Sequence, residues 1–525
     1  MWIQLTFLAL FFALMLAVGF YCRKHAKSVN GFVLGGNKAG AWLTAFAFGT
    51  SYFSAVIFVG YAGKFGWNFG IASTWIGLGN AFLGSLLAWV VLGRRTRLMT
   101  NHLGSRTMPE FFGSRYDSKA LRLISAMIVF VFLVPYTASL FNGLSRLFTM
   151  AFPQVDYTLC VVIMSLLTCV YVLVGGYMAT AINDFIQGIF MIGGIIAVVV
   201  AVLQQNGGFS ASMEKLAETA GWQYTSFFGA DPSFLFFVII LTSLGTWGLP
   251  QMVGKFYAIK DEGAIRKGAI ISTVFAVIVA GGCYFIGGFS RLFSESVNGK
   301  PAVGYDSLIP SMVEKLGPIL IGVILVLVLS ASMSTLSSLV LTSGSTMTLD
   351  LIAPLSKKPM TEKSKMISIR VLVAFFVLVS ALIAIFQERS TSGTAVTFIA
   401  DLMGVSWGVL AGSFIAPFLY GLYMKKVSKA SVYISFALGV SIGVVQLVKS
   451  LVGFSFGVSF LDEVFFKSSI HSGSFAMILG LILVPIISLF TKKQDKEQID
   501  AIFSCYDRQV TASAKAVLTD MEEKG

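Results

Sequence analysis

The stretch FGTSYFSA, residues 48–55, places a glycine and several hydroxyl-bearing residues inside an apolar run that covers residues 41–63. A second interruption, LGTWGLPQ at residues 244–251, lies inside the apolar run 233–256 and ends near a proline. In an apolar medium a break of this kind leaves backbone groups without water, and proline removes a helical hydrogen bond. The two stretches therefore predict broken helices, although glycine and proline also serve close packing or a kink in membrane helices.

The composition around these breaks is that of an integral membrane protein. Of the 525 residues, 56% are hydrophobic and only 12% are charged, whereas soluble domains carry about 25% charged residues. Apolar runs long enough to cross a bilayer recur along the whole chain. We predict thirteen spans, at residues 2–21, 41–63, 71–93, 121–150, 157–174, 180–204, 233–256, 268–289, 317–347, 367–387, 394–423, 431–452 and 473–491.

The basic residues follow the connectors between these spans and predict the orientation. Alternate connectors are rich in Lys and Arg, and we count Arg97, Arg115 and Lys255 among them; the opposite connectors hold few. By the positive-inside rule, the N-terminus is external and the C-terminus cytoplasmic, in a multi-pass protein of the cytoplasmic membrane. The net charge of +13 thus reflects topology rather than nucleic-acid binding.

The position of the two breaks predicts an internal repeat. Each break opens a set of five spans, and because five is odd, the second set is inserted upside down relative to the first. The predicted parts are an extra N-terminal helix with a basic loop (1–40), two inverted five-helix repeats (41–206 and 233–423), two C-terminal helices (424–491) and a cytoplasmic tail (492–525). In this all-α membrane architecture both breaks meet near the midplane, which is typical of secondary transporters.

The stretch ASMSTLSS, residues 331–338, is unusually rich in hydroxyls for a membrane helix. Helical spacing places Ala331, Ser334 and Thr335 on one face. The two hydroxyls and the Ala331 carbonyl, with carbonyls freed at Thr50 and Phe53, would form a neutral oxygen cage suited to a small hard cation such as sodium. The alternative is that these side chains only bond to carbonyls one turn earlier.

Asp184 lies about 12 Å beyond the glycine pair at residues 175–176 if the segment is helical. A carboxylate this deep in a span is costly and is a functional hypothesis by default. It would either complete a second cation site with Ser334, Ser337 and Ser338, or act as a structural anchor near the cytoplasmic interface.

The combination of several motifs resembles the sodium:solute symporter family. These motifs are FVLGG at 32–36, the glycine pair followed by Asn183, Asp184 and Gln187, WGLPQ at 247–251, ASMSTLSS at 331–338 with Asp350, and Pro417 with YMKK at 423–426. The resemblance covers residues 30–430 and implies the leucine-transporter type of 5+5 inverted repeat with an added N-terminal helix.

The resemblance also implies binding residues. The first sodium site of the family corresponds to Thr50, Phe53, Ala331, Ser334 and Thr335, and the second site of some members to Asp184, Ser334, Ser337 and Ser338. The aspartate that proline symporters place in the first break is Tyr52 here, and the sugar-binding glutamine of glucose cotransporters is Ile57. The other expected solute-lining residues are Ser54, Ser73, Thr74, Trp75, Tyr136, Thr246, Trp247 and Gln251.

We therefore predict sodium-coupled symport of a small organic solute, such as a monocarboxylate, an amino acid or a vitamin-like compound, by a monomeric unit. Sodium is the coupling ion, and no other cofactor is expected. A proton-coupled transporter of the same fold and a transporter-like membrane sensor are the alternatives. The three histidines are too scattered for a metal centre or a catalytic triad, so an enzyme is not expected.

Overall fold

The described part of the chain is almost entirely helical. A computed structural model describes residues 2–23, 26–152, 154–314, 316–390 and 398–507. The two strands found there form one short hairpin, in which β1 (Ser296–Val297) pairs antiparallel with β2 (Lys300–Pro301). The predicted all-α class is confirmed at this level.

The helices follow each other along the chain with few long connections. In the N-terminal half they are α1 (Trp2–Cys22), α2 (Val29–Leu34), α3 (Ala41–Tyr52), α4 (Ala62–Phe69), α5 (Thr74–Gly79), α6 (Arg94–Leu103), α7 (Met108–Arg115), α8 (Lys119–Ala151), α9 (Tyr157–Gln205), α10 (Phe209–Ala220) and α11 (Pro232–Leu244). In the C-terminal half they are α12 (Pro250–Ala258), α13 (Glu262–Ala276), α14 (Gly282–Gly287), α15 (Leu308–Glu314), α16 (Pro318–Thr346), α17 (Ala353–Leu355), α18 (Glu362–Ser390), α19 (Phe398–Tyr423), α20 (Lys429–Val452), α21 (Ser469–Phe490) and α22 (Lys496–Phe503).

Wider and tighter helical turns connect several of these helices. The π-helical segments are Val56–Tyr61, Asn80–Leu86, Trp89–Gly93, Val277–Gly281, Met347–Ile352 and Phe460–Phe465. The 3-10 segments are Gly35–Asn37, Gly70–Ser73, Trp222–Tyr224, Gly245–Gly248, Ser290–Leu292, Tyr305–Ser307 and Ser504–Asp507. Because these segments join α-helices end to end, several apolar stretches are continuous helices that contain more than one α-helix.

Ten helical stretches of the described residues are long and apolar enough to cross a membrane. An eleventh is added if α11 with its 3-10 end and α12, which are bent by 47° at Leu249, form one span. Two of the ten, Val56–Leu103 and Tyr157–Gln205, have 48 and 49 residues. Each would be about 70 Å long if straight, more than twice the hydrocarbon thickness. The count of thirteen spans and the repeat layout stay predictions.

Gly176 interrupts the long helix α9 at the predicted boundary between two spans. Its backbone has φ 57° and ψ −154°, which is not helical. A Cβ at this position would lie 3.0 Å from the carbonyl oxygen of Phe32. Only glycine combines this conformation with such a close approach.

Helix α16 lies at the centre of the bundle and packs against α1, α3, α8, α9 and α18. It begins at Pro318, where the missing N–H is not needed by the helix. Its hydroxyl-rich stretch is buried and faces the end of α3. The polar residues of the stretch therefore depend on partners inside the protein.

Three basic residues that the sequence assigns to connectors are buried side chains instead. Arg97 donates to the carbonyl of Ile259 at 2.7 Å, and Arg115 donates to the carbonyl of Gly421 at 2.8 Å. Lys255 lies inside α12 with only 3% of its surface exposed. The prediction that these residues lie in connectors is wrong, because they belong to α6, α7 and α12, where packed helices supply carbonyl or hydroxyl acceptors. The orientation inferred from the basic residues stays a prediction.

Candidate functional site

The first predicted break is present at the end of α3. The helix ends at Tyr52, and Phe53 has an extended backbone with φ −84° and ψ 121°. Helical structure resumes at Val56. The turn after Tyr52 leaves the carbonyls of Thr50 and Phe53 free to accept bonds from another helix.

Helix α16 supplies those bonds through two hydroxyls. Ser334 Oγ donates to the carbonyl oxygens of Thr50 and Ala331, both at 3.1 Å. Thr335 Oγ1 lies 3.2 Å from the Thr50 oxygen, 3.4 Å from the Phe53 oxygen and 3.0 Å from the Ala331 oxygen. The structure thus brings together all five oxygens of the predicted first site, which we call the neutral cluster.

The neutral cluster has the dimensions of a small cation cage. All five residues are buried, and none carries a charge. Oxygens at right angles around a cation, each roughly 2.3 Å from it, lie about 3.3 Å apart. The bond from Thr335 to Ala331 is the predicted one-turn alternative, and it coexists here with bonds to the broken helix. A hydroxyl that donates in this way still offers lone pairs to an ion.

A second cluster surrounds the carboxylate of Asp184. Asp184 Oδ2 lies 3.6 Å from the Nζ of Lys255, and both side chains are buried. The same Nζ donates to Ser338 Oγ at 2.9 Å, and Ser338 Oγ lies 2.8 Å from Ser51 Oγ in the first break. We call Asp184, Lys255 and Ser338 the charged cluster.

The other two residues predicted for the second sodium site bond elsewhere. Ser337 Oγ donates to the carbonyl of Ser334 at 2.9 Å, and Ser334 Oγ belongs to the neutral cluster. Sequence reasoning missed Lys255. Its position five residues after Pro250, still within the predicted span, was the signal that it belongs to a helix rather than to a connector.

A small cavity touches both breaks. It has a volume of about 10 Å³, which is at the lower limit for one water molecule. The first break contributes Tyr52 and Phe53, and the second contributes Thr246. The other lining residues are Phe48, Gly49, Asn80, Gly84, Ser85, Phe275, Ala276 and Ala280.

The predicted solute-lining residues fall into two groups. Tyr52 and Thr246 line the small cavity, and Tyr52 and Tyr136 both pack on the ring of Trp407, at 5.7 and 6.0 Å between ring centroids. Ser54 faces Tyr136, and Trp247 donates to the Leu83 carbonyl at 3.1 Å.

The remaining predicted residues lie away from this cavity. Ser73 donates to the carbonyl of Tyr284 at 2.7 Å, and Trp75 donates to the carbonyl of Phe227 at 3.0 Å. Thr74 lies between them in the chain, and the structure brings none of the three to the lining of the small cavity. Gln251 lines another cavity together with Lys255.

Asn80 and Trp407 are site residues that sequence reasoning missed. Asn80 Oδ1 accepts bonds from the hydroxyls of Thr242 and Ser243, each at 3.0 Å. Its Nδ2 is buried without a hydrogen-bond partner among the described residues. An asparagine in the middle of the predicted span 71–93 was the available signal.

One further cavity adjoins the charged cluster, and another shares lining residues with it. The inner one has a volume of about 50 Å³ and is lined by Gln251, Lys255 and Ser338 among others. The outer one has about 650 Å³ and includes Arg97, Asn101 and Arg106. Leu34 and Arg106 line both, so the charged cluster lies behind a wide polar vestibule.

Broken helices and buried oxygen clusters between long apolar helices are typical of membrane transporters. The sequence profile of the sodium:solute symporter family matches residues 32–439. The chain belongs to this family.

Relatives with known names agree with this assignment. The chain is 27% identical over 499 residues to the osmoregulated proline transporter OpuE of Bacillus subtilis (strain 168), covering 93% of this chain and 95% of that protein. It is 27% identical over 502 residues to the sodium/proline symporter of Staphylococcus aureus (strain JH9), covering 94% and 93%.

Two solved structures share the fold. A sodium-coupled sialic acid symporter in a substrate-bound outward-open state superposes with a TM-score of 0.75 at 17% identity, covering 94% of this chain and 99% of that one. The nucleobase-cation-symport-1 family transporter Mhp1, in a closed conformation, gives a TM-score of 0.52 at 13% identity, covering 89% and 96%.

Proposed function

We propose that this protein carries a small organic solute across the membrane together with sodium, by alternating access. The observation that supports this most directly is the neutral cluster, in which carbonyls from a broken helix face two hydroxyls of α16. Uncharged oxygens at this spacing suit a monovalent cation, whereas calcium sites use several carboxylates. Because the Thr50 and Phe53 carbonyls belong to both, sodium binding at the neutral cluster would stabilise one conformation of the first break.

We further propose that the solute binds where the two breaks border the small cavity. Its lining is otherwise aromatic or small, and its polar groups are the side chains of Asn80, Ser85 and Thr246 and the hydroxyl of Tyr52; none of the described residues that line it is charged. Phe53 both lines this cavity and offers its carbonyl to the neutral cluster. A bound sodium ion would thus lie beside the solute and favour a partly apolar compound with a carboxylate, such as a monocarboxylate, an amino acid or a vitamin-like compound.

The proposed topology has thirteen spans in a 5+5 inverted repeat, with repeats at 41–206 and 233–423. The break at Gly176 supports two spans within α9, and the bend of 47° supports one broken span from α11 to α12. The N-terminus is then external and the polar vestibule opens to the cytoplasm, as its arginines suggest. We propose a monomer in the cytoplasmic membrane as the transporting unit.

The charged cluster is proposed as a second cation position. Asp184 and Ser338, two of its expected ligands, lie together around the ammonium of Lys255. The buried carboxylate of Asp184 needs a positive charge beside it, and among the described residues the Lys255 ammonium supplies one.

Sodium binding is tested most directly on the purified protein. We expect sodium chloride to raise the melting temperature more than potassium chloride at equal ionic strength, because binding to the native state adds RT ln(1 + [L]/Kd). L-Proline, other amino acids, monocarboxylates, vitamins and sugars are then screened with each salt. Equal melting temperatures in both salts, at all concentrations and with every solute, would contradict sodium coupling.

A transport assay distinguishes sodium coupling from the alternative, proton coupling. Vesicles with the reconstituted protein receive a labelled solute found in the screen on the outside and either an inward sodium gradient or an inward proton gradient. Uptake driven by the sodium gradient alone supports the proposal. Uptake that persists without sodium and requires the pH gradient would assign the coupling role to protons.

A further inference from the structure

The side chain of Lys255 is a buried cation outside the neutral cluster. It projects from α12, the helix after the second break, and is 4% exposed, while Asp184 on α9 is fully buried. Its surroundings are therefore set by three different helices, because Ser338 lies on α16. A buried charge is stable only when it is paired and its hydrogen bonds are satisfied.

The ammonium of Lys255 has three neighbours among the described residues: a hydroxyl, a carboxylate and an aromatic ring. Its Nζ lies 2.9 Å from Ser338 Oγ and 3.6 Å from Asp184 Oδ2. It also lies 5.5 Å from the centre of the Tyr177 ring, within the range of a cation–π contact. Neither carboxylate oxygen of Asp184 has a hydrogen-bond partner within 3.5 Å among the described residues. Lys255 is thus the cation that compensates this carboxylate.

The ammonium stands among the residues expected to ligate a second sodium ion. Asp184 and Ser338 contact it, while the hydroxyls of Ser334 and Ser337 bond to backbone carbonyls. An additional sodium ion bound by Asp184 and Ser338 would lie within a few ångströms of this fixed positive charge. Two like charges so close inside the bundle repel each other strongly.

We propose that the ammonium of Lys255 permanently occupies the second cation position in place of sodium, so that each transport cycle uses a single sodium ion. This inference rests on the proposed function, because it takes the neutral cluster as the site of that single ion. The bond between Ser338 and Ser51 links the charged cluster to the first break. The attached cation therefore supports the break without being released to the cytoplasm.

Removing the charge of Lys255 should create a second sodium site. Purified protein is titrated with radioactive sodium ions, and the number of ions bound per protein at saturation is measured. We expect one for the wild type and two for Lys255→Gln, since Asp184 then needs a free cation. The double variant Asp184→Asn with Lys255→Gln lacks the carboxylate and should return to one. Lys260→Gln is the matched control, because Lys260 is half exposed and pairs with Asp261 at 3.7 Å, and it should behave as the wild type.

Each outcome decides the matter. Two ions on the wild type, or a single ion on a well-folded Lys255→Gln variant, would overturn the inference while leaving sodium coupling in place. No sodium bound to the wild type would remove the proposed function itself, and the inference with it. If Lys255→Gln does not fold, Lys255→Met, which keeps the length of the stem, is counted in the same way.

Discussion

The two ends of the stretch 331–338 on α16 have different neighbours: one end faces only neutral groups, and the other contacts a positively charged side chain. At one end Ser334 and Thr335 share bonds with backbone carbonyls of the first break, and every group is neutral. One turn further, Ser338 contacts a lysine that is paired with a buried aspartate. A neutral cage carries a positive charge only while an ion is bound. The ammonium of a lysine, by contrast, is covalently attached to the chain and cannot leave. On the proposals above, the same helix combines a position for an exchangeable sodium ion with one that the Lys255 ammonium occupies.

The largest expected effect comes from breaking the buried pair on one side. Asp184→Asn leaves the Lys255 ammonium without its counter-charge, and we expect a loss of about 3–5 kcal/mol in the free energy of unfolding. Thermal or denaturant unfolding of the purified protein measures this loss. The double variant Asp184→Asn with Lys255→Gln should recover most of it. Wild-type stability of the single variant would show that the pair carries no such coupling.

The neutral cluster should lose ion affinity rather than stability. Replacing Ser334 and Thr335 together by alanine removes two ligand oxygens, and we expect the sodium concentration for half-maximal uptake to rise at least tenfold, about 1.4 kcal/mol. Ser332→Ala is the matched control, because Ser332 donates only within its own helix, to the carbonyl of Val328 at 2.8 Å. If the sodium dependence of the double variant is unchanged, the hydroxyls of Ser334 and Thr335 do not bind sodium and serve helix packing.

The solute cavity should respond separately from both clusters. Asn80→Ala removes the amide that faces the cavity and the acceptor of the Ser243 hydroxyl, whereas Thr242 keeps its bond to the Val238 carbonyl at 2.8 Å. We expect the solute concentration for half-maximal uptake to rise about tenfold, the cost of one lost polar contact, with the sodium dependence unchanged. A shift in sodium affinity of the same size would mean that Asn80 acts on the ion and not on the solute.

The smallest effect is expected for an exposed ion pair of the same chemistry. Lys260 and Asp261 lie 3.7 Å apart at the surface, a distance close to that of the buried pair. Lys260→Gln should change the free energy of unfolding by no more than about 0.5 kcal/mol, as measured by the same unfolding experiment. A loss as large as that of Asp184→Asn would show that burial does not distinguish the two pairs.

Much of the neutral cluster is visible in the sequence. Ser334 and Thr335 share a helical face with Ala331 because the spacing of three and four residues is a local property. The break at residues 48–55 is also local, since glycine and hydroxyl residues in an apolar run stand out against their neighbours. What the sequence could not provide is which side chain of span three lines the cavity and which side chain of span eleven packs on Tyr52 and Tyr136 beside it. Asn80 and Trp407 depend on packing between distant segments.

The sequence by itself determined the membrane class, the two broken helices and the oxygen-rich face of α16, because hydrophobicity, helical periodicity and helix-breaking residues act over a few neighbours. Only the tertiary structure decided where Lys255 lies. By local rules a lysine near the end of a span reads as a cytoplasmic connector residue. Its burial depends on Asp184 and Ser338, which lie 71 and 83 residues away along the chain. A buried charge is tolerable only where a partner is supplied, and that partner is defined by the packing of three helices rather than by sequence neighbours.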